Sequence, residues 1–402
     1  MKLNKTTAVL VFSILSLILS STPANAAVIT GSGATFASPL IDSCRIQFAK
    51  ETGHDVNYTG GGSGKGRTDF SNRVVDFAGS DAPYNPASLE PRGLIYAPIF
   101  AAPISIFYNL PDVKDTIQLS PNTLAKIFSG EIQKWNDPAI LADNKRVTRE
   151  PVFGTKTVKQ TVVDKKTKKK SVVSKVVPQL DSSGKPVIVS YKESTFDAVL
   201  PNTQIQVWYR SDSSGTSENF ANYLKNSVSD SAIWPKNASG TFANATPKAL
   251  SGFFNFQGAS GSAAVAAGVV KNVGAIGYGE LSFATDNKLP SVAIFNPAGE
   301  AIAPSSAGTA TFLAAATLNS NGTLTYDYKT KTSGAYTLGT ASYGLASTSY
   351  GTKVVSNTIQ QWFTYVLDKC PTSFPEKGYA QITGKLADLA RTQIAKIGSQ
   401  TE

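Results

Sequence analysis

The sequence predicts an α/β fold. Three observations carry that prediction: strand-like and helix-like runs alternate along most of the chain, turns rich in Gly, Ser and Thr stand at their junctions, and 41% of the 402 residues are hydrophobic, enough for a real core. Pro39 to Thr52 has the spacing of a helix, with Leu40, Ile41, Cys44 and Phe48 on one face, and Thr52-Gly53-His54-Asp55 reads as the turn that ends it. Asp55 to Tyr58 reads as a strand that runs into the glycine turn Gly60 to Gly66, and a second helix ends near Asn72. Val74 to Ala78 leads to the turn Gly79-Ser80-Asp81-Ala82-Pro83. Ile95 to Ile99 and Ile104 to Tyr108 read as two strands, and Ser120 to Thr123 opens a helix that stops at Gly130. Gln204 to Tyr209 alternates like a strand and is followed by an amphipathic helix from Glu218 to Asn226. Gly274 to Tyr278 reads as a short buried strand, and Thr358 to Val366 and Gln381 to Ile397 as helices. Residues 290–330 show little periodicity, and no internal repeat is visible.

The first residues have the pattern of a secretory leader. Lys2 and Lys5 form the basic end, Ala8 to Leu19 the apolar segment, and Ala24-Asn25-Ala26 the cleavage site, so an exported chain without a lipid anchor is expected. An even pair of cysteines, Cys44 and Cys370, in an exported protein points to one disulfide, with two buried free thiols as the alternative. His54 is the only histidine, which leaves too few ligands for most transition-metal sites; a surface position is expected for it, and no metal or cofactor.

The net charge of +10 is concentrated in one place. Thirteen Lys/Arg stand against three Asp/Glu between Lys145 and Lys192, and with the leader set aside the rest of the chain is about two units negative. This argues against a nucleic-acid surface on the globular body. The segment alternates polar and β-branched residues, as in Thr155 to Val163 and Val172 to Val177, and reads as two or three strands of a projecting ribbon. Its lysines discourage edge-to-edge pairing, and contact with anionic wall polymers or a membrane surface is the further reading.

The stretch Arg210-Ser211-Asp212-Ser213-Ser214-Gly215-Thr216-Ser217 puts five hydroxyls, a glycine and a guanidinium at a strand-to-helix junction. Ser, Thr and Asp are ordinary capping residues, and a helix N-terminus also attracts anions. Gly33-Ala34-Thr35-Phe36 and Gly62-Ser63-Gly64 repeat the design, in the places where α/β sheets bind ligands. Hydroxyls of Thr35, Ser63, Ser214 and Thr216 with the Arg210 fork can surround a small oxyanion. Nucleotide motifs fail on spacing: Gly64-Lys65 is followed by Gly66, and Phe36 stands where the last glycine of a dinucleotide loop belongs. A hydrolase elbow fails at Lys65, and with a single histidine a Ser-His-Asp triad is not expected. Asp81 repels an anion unless the anion carries a proton that the carboxylate can accept, which admits phosphate and rejects sulfate; otherwise it caps its turn.

In order along the chain, Gly33 to Phe36, Asn57-Tyr58, Gly62-Ser63, Val75 to Phe77, Ser80 to Pro83, Trp135 to Asp137, Arg210 to Asp212, Ser214 to Thr216 and Gly274 to Tyr278 resemble the substrate-binding protein of the bacterial ABC phosphate transporter. The resemblance spans nearly the whole mature chain apart from the basic ribbon. It implies a type II periplasmic-binding-protein fold, with two α/β lobes joined by a two-strand hinge whose crossings fall near 104–109 and 336–343. The expected division is a leader at 1–26, one lobe from 27–109 and 338–402, and the other from 110–337, carrying the ribbon at 147–199. The resemblance implies phosphate contacts by Thr35, the Phe36 N–H, Ser63, Asp81, Arg210, Ser214, the Gly215 N–H and Thr216, with Asp212 holding Arg210. It implies a monomer that delivers inorganic phosphate to membrane permease subunits, without catalysis. Ala37 stands where the family usually has proline, and Lys65 where it has a small residue. An exported phosphatase of the same fold and a surface protein acting through its lysines are the alternatives.

Overall fold

The computed structural model describes residues 26–400. Apart from Ala26, the expected leader lies outside the described residues. Among them, no helix is long and apolar enough to cross a membrane. The described residues divide into two compact units, one of residues 26–134 with 204–400 and one of residues 135–203.

The first unit begins β1 (Val28–Gly33), α1 (Ser38–Thr52), β2 (Asp55–Gly60), α2 (Ser63–Ser71), β3 (Phe77–Ser80), β4 (Leu94–Tyr108), β5 (Gln118–Leu119) and α3 (Pro121–Phe128). The second unit holds α4 (Pro138–Asp143) and four strands, β6 (Arg146–Phe153), β7 (Thr155–Val163), β8 (Lys170–Pro178) and β9 (Ile188–Phe196). The first unit resumes with β10 (Gln206–Arg210), α5 (Gly215–Ser227), α6 (Phe242–Ala245), β11 (Phe256–Ala259), α7 (Ser262–Lys271), β12 (Ala275–Glu280) and α8 (Leu281–Asp286). Then come β13 (Ala293–Phe295), β14 (Ala301–Ile302), α9 (Ser306–Leu313), β15 (Thr317–Leu318), β16 (Leu324–Thr325), β17 (Gly339–Ser347), α10 (Lys353–Asp368), α11 (Cys370–Ser373) and α12 (Gly384–Ile394).

The main sheet runs β11-β10-β12-β4-β17-β3-β1-β2. β1 pairs in parallel with β2 and β3, and β10 in parallel with β11 and β12, so each half carries a parallel βαβ core. β4 joins the halves. It pairs with β17 from Leu94 to Pro103 and with β12 from Ile104 to Tyr108. The sequence reading broke this segment into two strands; it is one strand of 15 residues, buried throughout except at Leu94. Its prolines mislead because they sit where ladder hydrogen bonds are interrupted. Pro98 lies opposite the register shift at Ser342/Tyr343, and Pro103 stands where β4 changes partner. At the same place the Ile104 N–H donates to Leu338 O at 2.9 Å and Tyr336 Oη–H to Ile104 O at 2.7 Å. The two chain crossings between lobes are thus tied to each other.

Helices cover the sheet through their apolar faces. α10 starts at the Thr352 cap and buries Ile359, Trp362, Phe363 and Val366, a helical spacing. Phe363 meets Phe77 of β3 edge to face, with ring centroids 5.7 Å apart. α1 ends at Gly53, left-handed at φ 76°, as the sequence predicts. His54 is half-buried rather than free on the surface: its Nδ1 accepts the Ala27 N–H at 3.1 Å. It pins the start of β1 to the start of β2. Cys44 of α1 and Cys370 of α11 form a disulfide, with Cα atoms 5.8 Å apart.

In the second unit β6 pairs with β9 and β7 with β8, both antiparallel. The ribbon therefore has four strands, not two or three. The run at 186–189 leads into β9, and the strand not counted is β6, Arg146–Phe153, which lacks strict alternation.

Candidate functional site

Three loops of one lobe are bonded into a single floor. The Ala34 N–H donates to Gly79 O, and the N–H groups of Gly61 and Gly62 both donate to Gly33 O, each at 2.9 Å. Gly33 is required here: φ is 138°, and a Cβ would lie 2.0 Å from Gly79 O. Tyr58 Oη–H donates to Ala34 O at 3.0 Å, which accounts for that tyrosine beside the glycine turns. α2 starts at Ser63 and α5 at Gly215, so two helix N-termini meet here. Among the described residues, the backbone N–H groups of Phe36, Gly215 and Thr216 have no acceptor. These are donors held in place for an anion.

The other lobe supplies the charge. Arg210 ends β10 and is only 1% exposed. Its Nε donates to Asp212 Oδ1 at 2.6 Å and its Nη2 to Asp212 Oδ2, while Nη1 donates to Ser262 Oγ at 3.0 Å. A guanidinium has five N–H groups, so one remains on each terminal nitrogen. Those two form an end-on edge suited to two oxygens of one anion. Burial would raise the Asp212 carboxyl, but the Arg210 guanidinium overrides it and holds the group below its ordinary range. Asp212 also accepts the Gly261 N–H at 3.0 Å.

Asp81, 2% exposed, joins the two sides. Its Oδ1 accepts from Ser342 Oγ at 2.9 Å and its Oδ2 from Thr216 Oγ1 at 3.2 Å. Its own N–H donates to Ser63 Oγ at 3.1 Å, and its carbonyl accepts from Asn219 Nδ2 at 2.7 Å. The carboxylate does not cap its turn; Ser80 Oγ bonds that turn instead, to Ala82 O at 2.5 Å. Burial pushes Asp81 up to about 6, against the pull of Ser342, Arg210, Thr216 and Arg67. Ser214 caps α5 by accepting the Ser217 N–H at 3.2 Å, and its own proton stays available to a ligand. Capping and anion binding are therefore compatible at this junction.

The lobes are closed on each other. The Gly64 N–H donates to Ser213 O at 3.0 Å, and a Cβ on Gly215 would lie 2.5 Å from Ser63 Oγ. Thr35 Oγ1 lies 3.3 Å from Ser262 Oγ. The expected side chains fall into two adjacent groups, Thr35 through Ser262 to Arg210 and Asp212, and Ser63 through Asp81 to Thr216, with Ser214 capping α5 beside them. Together they can hold a small tetrahedral oxyanion on a guanidinium edge, hydroxyls and helix N–H groups, with one carboxylate as an acceptor. A cavity of about 500 Å³ opens beside it, lined by Asp81, Glu218, Asn219, Asn222, Tyr326 and Lys329 among others.

Several members were missed by sequence reasoning. Ser262 opens α7 directly after Gly261, the same glycine-hydroxyl junction recognised three times elsewhere, so a signal was there. Arg67 donates to Ala82 O at 2.9 Å and Pro83 O at 3.1 Å and lies 3.8 Å from Glu218 Oε2. Asn219 and Ser342 carry no local signal; only the closed fold brings them to Asp81. Lys65, which stands where the family has a small residue, is paired with Asp69 at 2.5 Å.

A second buried carboxylate lies behind the floor. Glu280, at the end of β12, accepts from the Ser282 N–H at 2.7 Å and from Tyr379 Oη at 3.0 Å; Tyr379 Oη also lies 3.1 Å from Phe36 O. Burial raises Glu280 to about 8 despite these bonds. The folded protein then holds a proton that the unfolded chain loses above the ordinary glutamate range, so stability falls as pH rises from about 4.5 to about 8. Glu280→Gln is expected to flatten that dependence and to exceed the parent at pH near 8 by on the order of a few kcal/mol, read from urea unfolding across pH.

Two lobes sharing one sheet and closed over a donor-rich cleft define a ligand-capturing protein of the periplasmic-binding type. The model of the PBP superfamily domain matches residues 20–369. The phosphate-binding protein PstS of Haemophilus influenzae is 33% identical over 73% of this chain and 69% of its own length. A PstS of Xylella fastidiosa is 30% identical over 69% of this chain and 60% of its own length, and a phosphate-binding protein of Mycobacterium tuberculosis is 27% identical over 86% and 80%. The chain belongs to this family of phosphate-binding proteins. In fold it is similar to the phosphate-binding protein of Stenotrophomonas maltophilia, with a TM-score of 0.60 at 17% identity, covering 91% of this chain and 93% of that one. A high-affinity periplasmic phosphate-binding protein solved with phosphate bound gives a TM-score of 0.60 at 18% identity, covering 90% and 93%. These relatives are named as binding proteins, not enzymes.

Proposed function

We propose that this protein captures inorganic phosphate outside the cell membrane and delivers it, as a monomer, to the permease subunits of an ABC importer. Thr35, Phe36, Ser63 and Asp81 contact the anion from one lobe, and Arg210, Ser214, Gly215 and Thr216 from the other. Closure of the lobes completes the shell. The phosphatase alternative has no support from the relatives' names, and steady phosphate release from a phosphomonoester by pure protein would overturn the binding reading.

The observation that carries the proposal is the buried pair of opposite charges on one small site: the spare Arg210 edge and the Asp81 carboxylate. An ionised carboxylate is an acceptor only. Phosphate brings a proton to it and sulfate does not, so sulfate meets uncompensated repulsion. Calorimetry with phosphate, sulfate and arsenate tests this. Strong phosphate binding with little sulfate binding is expected near neutral pH. Because Asp81 titrates at about 6, the preference for phosphate is expected to shrink as pH drops through that value. Asp81→Asn, which cannot accept as an anion, is expected to lose most of the preference at every pH. A variant that still rejects sulfate as the parent does would refute the proton-acceptor role.

A further inference from the structure

The ribbon is not absorbed by phosphate capture. β7 and β8 form a hairpin of nine residues a side, about 30 Å long at strand rise. Alternation puts Lys159, Val163, Val172 and Val176 on one face and Lys156, Val162, Val173 and Lys175 on the other. Every residue of the two strands is exposed except Val158 and Val177, which are half-buried. Val172 and Val176 are each 64% exposed, and Val162, Val163 and Val173 are exposed beside the tip.

The tip is a built turn. Asp164 Oδ1 accepts the N–H groups of Lys166 and Thr167, each at 2.8 Å, and the Asp164 N–H donates to Lys169 O at 3.0 Å. The one acid of the loop is thus spent on the backbone. Lys165, Lys166, Lys168, Lys169 and Lys170 have no ion-pair partner among the described residues. Two features therefore need a common partner: a cluster of unneutralised ammonium groups, and valines on both faces of a ribbon next to it. A soluble polyanion satisfies the lysines and leaves the valines in water. A bilayer interface satisfies both when the ribbon lies along it, with Val163, Val172 and Val176 of one face at the acyl boundary and the long tip lysines reaching the phosphate headgroups.

We propose that the β7–β8 hairpin binds the surface of an anionic phospholipid bilayer, lysines against headgroup phosphates and valines entering the interface. The hairpin holds the exported protein at the membrane. Full-length mature protein is sedimented with vesicles of equal parts phosphatidylglycerol and phosphatidylcholine, or of phosphatidylcholine alone. Binding to the mixed vesicles only, weakened by salt, is expected. Changing Lys165, Lys166, Lys168, Lys169 and Lys170 to Gln is expected to reduce it at least about tenfold. Changing Val163, Val172 and Val176 to Thr keeps the charge and is expected to reduce it severalfold, with the thermal midpoint unchanged as the check on folding. Absence of vesicle binding overturns the proposal. So does tight binding to soluble dextran sulfate together with valine variants that bind vesicles like the parent, because the partner is then a polyanion.

Discussion

Arg210→Ala is expected to weaken phosphate binding by about 2–5 kcal/mol, roughly thirty-fold to several thousand-fold in Kd. The residue is 1% exposed, so no water replaces the guanidinium at full strength. The damage is more than one lost contact. Asp212 would keep the Gly261 N–H but lose its cation, and a largely buried carboxylate would face the incoming anion. Arg210→Lys is expected to rescue little, since one ammonium cannot hold both Asp212 oxygens and still present two donors to phosphate. Asp212→Asn keeps a hydrogen-bonding partner for the fork and is expected to cost less than Arg210→Ala. Calorimetry with phosphate at fixed pH checks the order. An Arg210→Ala protein that binds phosphate as tightly as the parent would remove Arg210 from the site.

The parts of the site that were legible are those where local chemistry is unusual. Gly33, Ser63 and Ser214 all stand in turns that combine glycine and hydroxyls at a strand-helix junction, and the recurrence of that design three times, rather than any one copy, is what marked the site. The Arg210-Ser211-Asp212 spacing puts both side chains of the ion pair on one side of the strand end, and the structure pairs them. What stayed hidden depends on closure. Ser342 reaches Asp81 across 261 positions of sequence and Asn219 across 138, and neither stands in a distinctive context. The hinge strand was misread for a related reason. A run buried along nearly its whole length shows no alternation, and its prolines look like ends until the partner change at Pro103 gives them a place. The ribbon was recognised by charge, but its exposure on both faces is a fact of pairing that composition does not carry.

Changing both Cys44 and Cys370 to Ala is expected to lower unfolding stability by about 2–4 kcal/mol while leaving phosphate affinity unchanged. The bond closes a loop with a sequence separation of 326, so in the unfolded chain it removes a large set of open conformations. In the folded chain it adds little, because α1 is already held against α10. Phe48 meets Trp362 and Tyr365 edge to face, with centroids 5.2 and 5.4 Å away, and Glu51 accepts from Tyr365 Oη at 2.8 Å. Exposed pairs such as Glu51 with Lys369 contribute little by comparison. Two readouts separate this account from a role in native packing. The denaturant slope is expected to rise in the variant, since an uncrosslinked chain exposes more surface on unfolding. The calorimetric Kd for phosphate is expected to stay put, since neither cysteine touches the anion site. An unchanged slope with a weakened Kd would place the disulfide in the native geometry of the site and contradict the entropic account.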